Sequence, residues 1–79
     1  MLYIGLLAVD GGIDVFIENK GGTYLVLYKS RRSESYMYLA LDGTLLVSTF
    51  RNTLYNDLLV HEYLVRKDYI LSKISESRV

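Results

Sequence analysis

The stretch LYIGLLAVDGGIDVFIENKGGTYLVLY, residues 2–28, decides the fold. Apolar side chains recur there at a period of two, and Asp10-Gly11-Gly12 and Asn19-Lys20-Gly21-Gly22 interrupt them. A period of two belongs to a pleated strand, whose successive side chains point to opposite faces. Asp-Gly between apolar runs signals a hairpin, because a type I′ turn needs positive φ at both central residues. Three strands therefore follow, over residues 2–9, 13–19 and 23–30.

The same grammar continues downstream. The polar run Ser30-Arg31-Arg32-Ser33-Glu34 reads as a loop, 35–41 as a fourth strand, Asp42-Gly43 as a second Asp-Gly hairpin and 44–50 as a fifth strand. Connections this short favour an antiparallel meander. From residue 53 to 76 the apolar period changes to that of a helix, with Asn52 or Thr53 able to cap it. Asp57 lies near its positive end, Lys73 and Arg78 near its negative end, and Glu62 and Arg66 stand at i,i+4. The expected architecture is a single α+β domain over 1–79: a five-stranded antiparallel meander (1–50) followed by one C-terminal helix (53–76). Curling of the sheet into a small barrel is the alternative closure.

Turn positions fix which side chains share a face. With Asp10-Gly11 and Asp42-Gly43 as central turn residues, Leu6 opposes Val15, Ile4 opposes Ile17, Ala40 opposes Leu45 and Tyr38 opposes Val47. An even register across the basic loop sets Tyr28 opposite Tyr36 and Val26 opposite Tyr38. One face then forms a core from Leu2, Ile4, Leu6, Ile13, Val15, Ile17, Tyr24, Val26, Tyr28, Tyr36 and Tyr38. The other collects Leu25, Leu27, Met37, Leu39, Leu41 and Leu46, where a solvated face would alternate polar residues. A bulge at the Asn19–Gly22 turn would exchange the faces beyond it.

The helix is apolar on two sides as well. Leu59, Tyr63, Ile70 and Ile74 form one stripe, flanked by Val60, Leu64 and Leu71, and Leu54, Leu58, Val65 and Tyr69 form a second. A contiguous apolar patch of several hundred Å² marks an interaction site. These five sheet leucines and one methionine are accordingly expected to form a homodimer interface, and the chain to act as a protein–protein interaction or assembly module with itself or an unidentified protein partner.

Composition narrows the chemistry. The apolar share of 51% suits a globular core and not a disordered chain. Nine basic residues balance nine acidic ones, so no global field draws in nucleic acid or an acidic membrane. Without cysteine there is neither a disulfide framework nor a thiolate metal site. His61-Glu62 would begin a zinc-protease motif only with a second histidine at position 65, where Val65 stands. Asp10 and Asp42 occupy positions where turns favour aspartate. No Gly-x-Ser-x-Gly elbow or Gly-x-Gly-x-x-Gly loop occurs. The expectation is therefore no enzyme activity, no cofactor and no metal.

A second functional reading rests on the tyrosines. Tyr28 and Tyr36 adjoin Lys29, Arg31 and Arg32, and aromatics on a sheet beside a basic loop suit base stacking with phosphate contacts. That pattern describes a small dimeric nucleic-acid-binding regulator. At the N-terminus no Lys or Arg precedes the apolar run 2–9, which is too short to span a bilayer. The expected location is cytoplasmic, with no membrane partner.

Overall fold

The structure, a computed structural model, describes residues 1–7 and 12–77. Strands β1 (Leu2–Leu6), β2 (Ile13–Lys20), β3 (Thr23–Ser30), β4 (Tyr36–Ala40) and β5 (Leu45–Ser48) pair antiparallel in chain order, and helix α1 (Thr53–Ser77) follows. The five strands form one sheet with β1 and β5 at its two edges, so the sheet is open and the barrel is not formed. The α+β meander with a C-terminal helix is the fold.

Helix α1 covers one face of the sheet. Leu59, Tyr63, Ile70 and Ile74, the first predicted stripe, are its buried residues. They join Leu7, Ile13, Val15, Ile17, Val26, Tyr28, Met37 and Leu39 in one core. The Tyr63 hydroxyl donates to the Leu41 carbonyl, and Ser48 Oγ donates to Asn56 Oδ1 at 2.7 Å, tying helix to sheet. Asn52 is the cap: its Oδ1 accepts from the backbone N–H of Leu54 at 2.9 Å and of Tyr55 at 3.2 Å, two of the donors a helix start leaves unpaired. The first helical turn carries no acid, and Asp57 lies just beyond it. Glu62 and Arg66 pair at 3.8 Å.

Strand registers differ from expectation at three places. In β1 a bulge between Tyr3 and Gly5 sets Gly5 opposite Val15 and Leu6 opposite Asp14. Gly5 takes φ +136°, which only glycine adopts readily. Leu7 thereby enters the core in place of Leu6, which is exposed. Across the basic loop, Ser30 N–H bonds the Ser35 carbonyl at 3.0 Å and encloses four residues, so Tyr28 opposes Met37 and Lys29 opposes Tyr36. This turns Met37 and Leu39 toward the helix and Tyr36 and Tyr38 away from it. The exchange suits the side chains: the aliphatic pair fills the dry layer, and the Tyr38 hydroxyl finds the Glu18 carboxylate on the wet one.

The third difference is the Asp42-Gly43 hairpin. Gly43 N–H bonds the Ala40 carbonyl at 2.9 Å, Ala40 N–H bonds the Thr44 carbonyl at 2.9 Å, and Gly43 alone takes positive φ. That is a three-residue loop closed by a glycine bulge and not a type I′ turn. Leu45 consequently opposes Leu39 and not Ala40, while Tyr38 opposes Val47 as expected. The Asn19–Gly22 turn contains no bulge. Lys20 opposes Thr23, and Gly21 (φ +60°) and Gly22 (φ +89°) supply the two positive-φ residues of a tight hairpin. The Asp10-Gly11 turn lies outside the described residues.

Candidate functional site

Among the described residues two surfaces remain uncovered: the sheet face opposite α1 and the outward side of α1. The open face is built by the even-numbered residues of β2 and the odd-numbered residues of β3. Tyr3, Phe16, Leu27, Tyr38 and Val47 stand in one row across all five strands, each opposite the next. Tyr3 and Phe16 rings are 5.2 Å apart, and Tyr36 and Tyr38 meet edge to face at 5.7 Å. Leu27 lies between these two aromatic pairs. It is only 7% exposed, although it stands apart from the helix-side core.

Charge on this face is organised by hydrogen bonds. Asp14 accepts from Arg31 Nε at 2.8 Å, from Arg31 Nη2 at 3.0 Å and from the Tyr3 hydroxyl at 2.8 Å. The Arg31 guanidinium, more than the Tyr3 hydroxyl, holds the Asp14 carboxyl below the ordinary aspartate range, and bonding to that carboxylate pushes the Tyr3 phenol up. Glu18 accepts from the Tyr38 hydroxyl at 2.8 Å, which raises the Tyr38 phenol, and pairs with Lys20 at 3.5 Å. Lys20 Nζ also sits 5.3 Å from the centre of the Tyr38 ring. The Lys29 ammonium makes no hydrogen bond or ion pair with a described residue, although its charge helps to lower the carboxyl of Asp14, its cross-strand neighbour. A groove of about 400 Å³ opens here, lined by Lys20, Leu27, Lys29, Tyr36 and Tyr38.

The outward side of α1 carries an apolar stripe, interleaved with the exposed polar residues His61, Asp68 and Ser72. Leu54 is 77% and Val65 68% exposed, and Leu58 and Tyr69 are exposed between and beyond them. This second stripe repeats the spacing of the buried one five residues earlier. Tyr69 is flanked by Arg66 and Lys73, at 5.5 and 5.3 Å from its ring centre.

The residues expected to form a sheet interface do not share a face. Met37 and Leu39 are 0% exposed beneath α1, and Leu41 packs against the same core. Leu25 and Leu27 lie on the open face, and Leu46 is exposed at the β4–β5 irregularity. Of the expected nucleic-acid contacts, Lys29 and Tyr36 are cross-strand neighbours on the open face. Tyr28 is buried against the helix, where desolvation pushes its phenol up, and is out of reach of a ligand. Arg31 is committed to Asp14, and the Arg32 guanidinium lies over Gly12. Sequence reasoning placed Phe16 on the face of Leu25 and Leu27, where it stands, but missed Tyr38 and Lys20 as members of the open-face cluster. The four-residue loop is the signal that places Tyr38 there, and the tight Gly21-Gly22 turn is the one that places Lys20.

No family model, curated protein or solved structure matches the chain. Among the described residues no cluster of His, Cys, Asp and Glu could hold a metal ion, and no helix is long and apolar enough to cross a membrane.

Proposed function

We propose that this chain is a non-enzymatic assembly module that acts as a homodimer, joined by antiparallel packing of α1 against α1 of a second copy. The observation that carries this reading is the symmetry of the exposed stripe. Leu54 and Tyr69 lie equally far from the midpoint between His61 and Glu62, and so do Leu58 and Val65. A second copy running the other way therefore sets Leu54 against the partner's Tyr69 and Leu58 against the partner's Val65. Such self-complementarity is what a two-fold interface requires.

The contact runs roughly 22 Å along the helix at 1.5 Å per residue. Its apolar area belongs with the smaller interfaces, so dimer and monomer should exchange over a roughly micromolar concentration range. The two sheet faces then point away from each other. A non-enzymatic role is supported by the engagement of the open-face carboxylates: Asp14 is bonded to a guanidinium and a phenol, Glu18 to an ammonium and a phenol.

Light scattering behind size-exclusion chromatography tests the interface. The wild type should run as a dimer at high protein concentration, and Leu58→Asp and Val65→Asp should run as folded monomers of about half that mass, since both residues are exposed in the single chain. A wild type that stays monomeric at hundreds of micromolar, or variants that stay dimeric, would overturn the proposal.

A further inference from the structure

We propose that the open face of the sheet binds single-stranded nucleic acid, with Tyr36 as the base-stacking ring, Lys29 as the phosphate contact and the groove between them as the first nucleotide site. Tyr36 and Lys29 stand directly opposite each other on β4 and β3, so ring and ammonium flank one groove. The groove's volume of about 400 Å³ falls in the range of small-ligand sites. Its floor is Leu27 and its far wall is Tyr38, an apolar and aromatic lining that suits the flat face of a base.

The charge of the face favours an anionic occupant, since Lys20, Lys29 and Arg31 stand beside two carboxylates, Asp14 and Glu18. Both carboxylates of the face are already neutralised, Asp14 by Arg31 and Glu18 by Lys20, and the Tyr38 ring already has a cation beside it. What is left facing the groove is the Lys29 ammonium and the Tyr36 ring. Stacking is tolerant of base identity because every base has a π-face.

The same face favours a strand over a single free nucleotide. A second aromatic pair, Tyr3 and Phe16, stands beyond Leu27 in the row that contains Tyr38. Phe16 and Tyr38 are two strand spacings apart, roughly 10 Å. An extended strand crossing the sheet at right angles to β2, β3 and β4 reaches both pairs, which one nucleotide cannot. Helix α1 lies on the opposite side, so occupancy of this face leaves the proposed helix contact untouched.

Fluorescence anisotropy with labelled twelve-nucleotide oligo-dT and oligo-rU provides the test, read beside quenching of tyrosine emission, which no tryptophan obscures. Saturable binding is expected, with log K falling against log salt by only about 0.7 to 1.4, the slope for one or two phosphates on a single strand. Tyr36→Ala should weaken binding about fivefold or more, the loss expected for one stacked base. Lys29→Glu, at an exposed position, should weaken it and flatten the salt slope, and Leu58→Asp should bind as the wild type does. Circular dichroism confirms that each variant is folded. Absence of saturable binding, affinity unchanged in both folded Tyr36→Ala and Lys29→Glu, or equally tight binding of a free mononucleotide would overturn the proposal.

Discussion

Arg31 grips Asp14 with two hydrogen bonds, Nε to Oδ2 at 2.8 Å and Nη2 to Oδ1 at 3.0 Å, and thereby fastens the basic loop to the open face of β2. The Tyr3 hydroxyl donates to the same carboxylate, so strand β1 is tied in as well. Arg31 is the main cause that lowers the Asp14 carboxyl below its ordinary value. In the unfolded chain that carboxyl titrates near pH 4, about where a free aspartate does. A lowered folded value means the contribution is complete above that pH and disappears as pH falls through the folded value. Asp42 is lowered too, chiefly by a side-chain hydrogen bond from Thr44, and adds to the same loss. Thermal melts between about pH 5 and pH 2 should therefore fall more steeply for the wild type than for Asp14→Asn, which retains only the Asp42 share. Parallel curves would show that the Arg31 grip contributes nothing to the fold.

Gly43 closes the β4–β5 hairpin at φ +94° beneath the Leu64 side chain, and a Cβ built there would come to 2.7 Å from Leu64 Cδ2. Leu64 is exposed and can swing aside, so the backbone conformation is the larger obstacle. Gly43→Ala should destabilise by about 1–2 kcal/mol, the cost of forcing an L residue into this region. In a double-mutant cycle with Leu64→Ala the coupling should stay below about 0.5 kcal/mol, as for residues that do not constrain each other. A larger coupling would mean that Leu64 is held in place over the turn.

The fold was legible because period-two runs and glycine turns are local signals, and so was the cap at Asn52. The helix stripe of Leu59, Tyr63, Ile70 and Ile74 was legible for the same reason. Faces were harder to read, because one extra residue in a loop inverts every side chain beyond it. The polar run 30–34 holds no glycine or proline to fix its length, and the four-residue loop exchanged Met37 and Leu39 with Tyr36 and Tyr38. The bulge at Gly5 did the same for Leu6 and Leu7. The correction in β4 has a physical sense, whereas the one in β1 exchanges one leucine for another. Aliphatic side chains moved into the dry layer and amphipathic rings moved out, which the composition of β4 allows in either register.

Leu39 and Leu46 separate these registers by experiment. Leu39 is 0% exposed beneath α1, whereas Leu46 is 51% exposed at the irregularity opposite β4. Leu39→Ala should cost about 2–5 kcal/mol, the range for a cavity in a packed core. A chain of this size has a total stability of only roughly 4–12 kcal/mol, so that loss is a large fraction. Leu46→Ala should stay within about 0.5 kcal/mol of wild type. The contrast sharpens with charge: Leu39→Asp buries a carboxylate with no partner and should leave the chain unfolded at neutral pH, while Leu46→Asp should fold. Urea melts read both, with the midpoint moving and the slope constant if only stability changes. Equal costs at the two positions would place Leu39 on the open face and return the tyrosines of β4 to the core.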